Sequence, residues 1–182
     1  MVQEKTNVPL NFFLYAHACG DILVKRGAVS KQDLETLRSN IARGKSGNPL
    51  LFRNAYLRVL DFARRRKRKL TSELIREYFV SKHTEVVLRV AKKKKDVVPV
   101  NCFITPAKIL SIHGDRADAL TPFGKRTLNL KCARAKKGDL VSTHYWWVCE
   151  KMSAKEFMHL WNELKKFDDS TKIVDDPAEK NW

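Results

Sequence analysis

Two stretches of this chain hold residue types that could do chemistry. One is Cys102-Phe-Ile-Thr-Pro106-Ala-Lys108-Ile-Leu-Ser-Ile112, a cysteine at the head of a β-branched run with a proline four residues on. The other is Gly138-Asp139-Leu-Val-Ser-Thr-His144-Tyr-Trp146-Trp147-Val-Cys149-Glu150-Lys151, with one histidine and a Glu-Lys pair. A thiolate is a soft metal donor, and a neutral imidazole serves as a second ligand or as a hydrogen-bond partner. Without further context, a cysteine at a strand start is most often a small buried apolar residue, and such a histidine a satisfied surface or core group. Cys19 reads as helix core, and Cys132 and Cys149 read as packing. Trp146 and Trp147 adjoin on one expected strand and so point to opposite faces, one into the core and one outward.

Other chemistry is missing from the sequence. There is no Gly-rich phosphate loop, no His-Glu-x-x-His, no Gly-x-Ser-x-Gly and no Cys-x-x-Cys. With no acid/base or nucleophile constellation visible, the expectation is a protein that is not an enzyme. A structural zinc site would need dispersed residues.

A third feature is charge. Arg64, Arg65, Arg66, Lys67, Arg68 and Lys69 form one basic run, and Lys92, Lys93, Lys94 and Lys95 form another. Each is longer than a helical turn, so neither is a stripe on one face. They are either solvated helix ends, where cations suit the dipole, or a polyanion-binding patch with salt-dependent affinity. The 182 residues carry 36 Lys+Arg and 20 Asp+Glu, a net +16. Residues 1–100 hold 22 of those cations and 9 of the acids, net +13, which leaves only +3 for 101–182.

The elements that must position these residues change character at the same place. Helical periodicity runs over 9–25, over 30–43 behind Ser30, over 48–62 behind Asn48-Pro49, and over 71–90 behind Thr71. After Lys92–Lys95 and Pro99 the pattern becomes short strands: Cys102–Ile112, Arg116–Thr121, Lys125–Leu130 and Leu140–Cys149. Ser153 and Glu156 form a capping box before Phe157, Leu160, Trp161 and Leu164 at helical spacing. The expected class is α+β: an N-terminal helical bundle, then a small OB-like β-barrel with a C-terminal helix. The expected units are a basic helical domain over 1–96, barrel plus helix over 101–167, and a polar tail over 168–182.

With 43% hydrophobic residues the chain can bury a core, and no run of about 18 apolar residues is available to span a membrane. The N-terminus reads as an amphipathic helix rather than a signal peptide. Four scattered cysteines do not make a disulfide scaffold, which points to a reducing, cytoplasmic setting.

The two motif segments resemble the HypC/HupF family of [NiFe]-hydrogenase maturation chaperones. Cys102, Pro106, Lys108 and Ile112 fall on the family's opening motif without a gap. Gly138, Asp139, Val141, His144, Glu150 and Lys151 fall on its second motif, also without a gap. The resemblance covers about 101–165. It implies an OB-like barrel that binds a HypD-like scaffold protein and/or the hydrogenase large subunit. It also implies transient holding of an iron centre with cyanide and carbon monoxide ligands, here through Cys102 with His144 nearby. Lys108 would favour the ionised thiol, and Pro106, Lys108, Trp146 and Trp147 would face the partner. The sequence departs from the family in three ways: Cys102 follows Asn101 inside a chain, Trp146-Trp147 replace Gly-Phe, and the basic helical half is extra. The rival expectation is a nucleic-acid-binding protein that uses the helical half and the barrel as one positive surface.

Overall fold

Side-chain caps set the phase of the helices. Ser30 accepts from the Asp33 N–H at 3.0 Å, Asn48 from Leu50 at 3.0 Å and Thr71 from Leu74 at 3.3 Å. Ser153 accepts from Glu156 at 3.3 Å, while Glu156 takes the Ser153 N–H at 2.9 Å, completing the capping box. The structure is a computed structural model that describes residues 8–91 and 99–165. Among the described residues the helices are α1 (Leu10–Ala16), α2 (Gly20–Lys25), α3 (Lys31–Ala42), α4 (Arg53–Arg65), α5 (Ser72–Glu77), α6 (His83–Ala91) and α7 (Ala154–Leu164). The strands are β1 (Ile104–His113), β2 (Arg116–Thr121), β3 (Gly124–Asn129), β4 (Leu140–His144) and β5 (Trp147–Lys151).

Three of the expected helices are interrupted. The run 9–25 tightens into a 3₁₀ turn at His17–Cys19, which separates α1 from α2. A 3₁₀ turn advances about 120° per residue instead of 100°, so the face beyond it is rotated. The helix behind Asn48-Pro49 starts as a 3₁₀ turn at Pro49–Phe52. The run 71–90 is split by a π-helical turn at Tyr78–Lys82, a feature that recurs at functional positions.

The strands close into a barrel in the order β1-β2-β3-β5-β4. All neighbours are antiparallel except β3 and β5, which meet in parallel at Asn129 and Trp147. The expected single strand 140–149 is a hairpin instead. It turns at Tyr145-Trp146, where Tyr145 has φ +54°, and β5 begins at Trp147. Trp146 and Trp147 therefore do not face opposite sides of one strand. Trp146 stands in the turn under the Arg126 guanidinium, 5.2 Å from it, and Trp147 packs between Arg38 at 4.4 Å and His17 at 4.8 Å.

Among the described residues there are two apolar clusters. Ala107, Ile109, Ala117, Ala119, Leu128, Val141 and Val148 plug the barrel. The larger cluster joins Phe12, Phe13, Tyr15, Leu34, Ile75 and Phe79 of the helices to Phe103, Ile104, Cys149, Leu160 and Leu164. The expected boundary at 96–100 falls mostly outside the described residues, as do Lys92–Lys95 and the tail 168–182. The core on either side of it is nonetheless shared. Polar contacts close the same seam: Arg76 Nε donates to Glu150 Oε1 at 2.7 Å, and the Tyr15 hydroxyl donates to that same oxygen and lies 3.2 Å from Ser142 Oγ.

Candidate functional site

Antiparallel pairing of β1 with β4 sets Ile104 opposite His144 and Thr105 opposite Thr143. Cys102 precedes β1 by two residues, at the end of a 3₁₀ turn over Pro99–Cys102. It therefore lies at the barrel rim just past His144. Tyr145 is tied to the same place, because its N–H donates to the Asn101 carbonyl at 3.1 Å. Its hydroxyl in turn receives the Cys102 thiol at 3.2 Å. The two motif segments thus meet through Cys102, His144 and Tyr145.

The helical half covers this rim. The His144 ring is buried and its Nδ1 is 2.7 Å from the Tyr15 carbonyl, which can only accept. Nδ1 therefore carries the proton of the neutral ring, and Nε2 presents a lone pair. The Cys19 sulfur lies 3.1 Å from Nε2 and donates its proton there. His83, at the end of the π turn, stands edge-on to His144 with ring centroids 5.1 Å apart. Cys19 read as helix core in the sequence, yet it caps the imidazole. The signal for it was weak: a single thiol beside His17 and Gly20, in a stretch whose 3₁₀ turn the apolar spacing does not reveal.

The electrostatics separate the two thiols. Cys102 is held below the ordinary thiol range because Cys19 can donate to the thiolate, with Tyr145 and Arg26 helping against the cost of burial. When Cys102 loses its proton, the Cys19 S–H turns from His144 Nε2 to the thiolate, and the Tyr145 hydroxyl turns to donate there as well. Cys19 is pushed well up, first by its contact with Cys102 and then by burial. His144 is lowered to about 4 by burial, although the Tyr15 and Cys102 carbonyls pull the other way. A Cys19 thiolate paired with a His144 imidazolium is disfavoured on both sides, so this pair is not an activated nucleophile. The group the site makes available as an anion is Cys102. Lys108 plays no part in that, being exposed four residues along β1 from Ile104, about 13 Å of strand. Pro106 is buried in β1.

The remaining thiols are packing. Cys149 is fully buried and raised well above its usual value, and Cys132 is pushed up to about 11 by burial. The second motif is also knitted together by charge. Lys151 Nζ reaches Asp139 at 2.8 Å, while Glu150 turns back to Arg76 and Tyr15. Among the described residues, no group of three or more His, Cys, Asp and Glu side chains is arranged to hold a metal ion. Any ion held here would rest on fewer protein ligands.

The first basic run lies at the C-terminal end of α4 and beyond it. Arg64–Lys69 are all exposed, but Arg65 pairs with Asp61 at 2.9 Å, and Arg66 and Arg68 both pair with Glu77 at 2.9 Å. Among the described residues, no helix is long and apolar enough to cross a membrane. The chain matches no family model, no curated protein and no solved structure.

Proposed function

We propose that this chain is a HypC-like accessory protein of [NiFe]-hydrogenase assembly, with Cys102 as the thiolate that takes an iron centre as cargo. The observation that carries the reading is the meeting of the two motif segments at one rim, where the Cys102 thiol is the one with its ionised form favoured. His144, adjacent to the Cys102 backbone and held neutral, positions that rim through Tyr15 and Cys19. The closed five-stranded barrel and its strand order suit an OB-like module. A cargo iron that already bears cyanide and carbon monoxide needs few protein ligands, which agrees with a site of one thiolate rather than a closed cage. Cys102 is 7% exposed, so cargo transfer requires the cover formed by the His17–Cys19 turn and α6 to move aside. The partner is a HypD-like scaffold or the hydrogenase large subunit, Trp146 stands at the rim to meet it, and the role is carriage without catalysis.

The test is co-expression with a HypD-like partner, followed by co-purification, iron analysis and infrared spectroscopy in the cyanide and carbon monoxide region. Wild type retains the bands. Cys102→Ser loses them with the fold intact, and His144→Ala weakens them. A folded wild-type protein that never carries such bands in the presence of its partners overturns the reading.

A further inference from the structure

The helical half holds a groove of about 690 Å³ between α4 and α6, on which the proposed iron site does not draw. Arg58, Arg65 and Arg66 line one wall, Lys82 and Arg89 line the other, and Asp61 and Glu85 are the acids among them. Ion pairs occupy part of this charge, since Arg65 is bound to Asp61 and Lys82 to Glu85, each at 2.9 Å. Arg58 and Arg89, which are exposed, make no ion pair among the described residues. Between the walls sits Tyr78, at the start of the π turn. It is 4% exposed, and its hydroxyl has no hydrogen-bond partner among the described residues. A buried hydroxyl left without a partner is costly, so its persistence calls for an acceptor. Arg58 and Arg89 both lie close enough to favour the ionised form of that hydroxyl, although burial raises its pKa overall. Two unspent guanidinium groups and one unspent O–H donor therefore converge, and together they fit a phosphate.

We propose that this groove binds the phosphodiester backbone of a single-stranded nucleic acid, with Arg58, Arg89 and the Tyr78 hydroxyl holding one phosphate. A strand is favoured over a lone anion by the length of the walls. Arg58 to Arg65 and Lys82 to Arg89 each span seven residues, about 10 Å of helix, which exceeds the need of one phosphate. A single strand is favoured over a duplex by the aromatic wall. Phe62 lies beside Tyr78 with ring centroids 5.6 Å apart, and the Arg66 guanidinium sits 5.0 Å over the Phe62 ring. Stacked guanidinium and ring surfaces take unstacked bases, which only a single strand offers. The groove lies wholly in the half that carries +13, and it needs nothing from the barrel.

The experiment uses the full chain and a fluorescein-labelled single-stranded oligouridylate, read by anisotropy. Binding is expected at about 50 mM salt and should weaken roughly 20-fold by 200 mM for three phosphate contacts. The double variant Arg58→Ala/Arg89→Ala should bind at least tenfold more weakly, and its salt slope should fall by about 0.7, the share of the one phosphate they hold. Tyr78→Phe keeps the ring and the fold, so a several-fold loss there reports the hydroxyl itself. Arg134→Ala, on an exposed barrel loop, should change nothing. Circular dichroism confirms that each variant is folded. No binding at 50 mM salt overturns the proposal, as does binding unchanged in the folded double variant. Displacement of the strand by inorganic phosphate at equal phosphate concentration overturns it in favour of a free phosphorylated ligand, and equal affinity for duplex RNA overturns the single-strand preference. None of these outcomes depends on whether Cys102 carries iron.

Discussion

The Cys19 sulfur lies 3.1 Å from Nε2 of His144, a residue 125 positions further along the chain. The helical half thus reaches into the second motif of the barrel and spends its histidine on a thiol. The consequences can be measured.

Replacing Cys19 by Ala removes the donor to Nε2 and, with it, the thiol that stabilises a Cys102 thiolate. The Cys102 pKa should rise. Alkylation rates followed by mass spectrometry across pH will show it: in wild type the Cys102 midpoint falls below the ordinary thiol value near 9, and Cys132 titrates near 11. In Cys19→Ala the Cys102 midpoint moves up. An unmoved midpoint would remove Cys19 from the site.

Stability should depend on pH through the buried imidazoles. His144 has its pKa lowered to about 4 from an ordinary 6.5, and His17 and His83 are lowered too, each chiefly by burial. The unfolded chain binds these protons and the folded one does not. The stabilisation is therefore complete above about pH 6.5 and is lost as pH falls toward 4. His144 alone accounts for about 3 kcal/mol of it. Urea unfolding at pH 7.5 and pH 5 should show a clear drop, and the drop should shrink in His144→Gln. A flat profile in wild type would contradict the buried, neutral assignment.

Arg76 closes the seam between the two halves. Its Nε donates to Glu150 at 2.7 Å, and its other nitrogens reach Glu156 at 3.5 Å and the Lys151 carbonyl at 3.3 Å. Arg76→Ala leaves Glu150, which is 17% exposed, with the Tyr15 hydroxyl alone on Oε1. The expected cost is about 1–2 kcal/mol, read as a lower urea midpoint with an unchanged slope. A change in slope instead would mean that the halves unfold separately.

Gly20 opens α2, where α3 approaches. A Cβ there would stand 2.3 Å from Leu34 Cδ1 and 2.9 Å from Cδ2, and Leu34 is 2% exposed with nowhere to move. Gly20→Ala should destabilise by about 1–3 kcal/mol, although its backbone is ordinary helix. Adding Leu34→Ala makes room for the methyl but opens space elsewhere, so the double variant should cost less than the sum of the two singles. Strict additivity would show that the clash is relieved another way.

Much of the architecture follows from local pattern. Ser30, Asn48, Thr71 and Ser153 announce helix starts, and the β-branched runs separated by Gly114 and Gly124 announce strands, because caps and turns depend on a few adjacent residues. The hairpin at Tyr145-Trp146 escaped the pattern, since Leu140–Cys149 is rich in β-branched and aromatic residues and carries no glycine at the turn. The π turn at Tyr78–Lys82 escaped for a related reason: Ile75, Phe79, Val86 and Val90 stand four and seven residues apart, a spacing that an unbroken α-helix fits as well. Cys102 and His144 stood out by residue type and by their motifs.

Tertiary packing alone decided what those residues touch. It brought Cys19 to His144 across 125 residues, set Arg58 and Arg89 from different helices beside Tyr78, and turned Arg65 and Arg66 of the conspicuous basic run into partners of Asp61 and Glu77. A sequence states which groups a chain owns and which local turns it favours. Whether a thiol ionises or a guanidinium stays unspent depends on burial and on neighbours distant in sequence, and these exist only once the halves have closed on a common core.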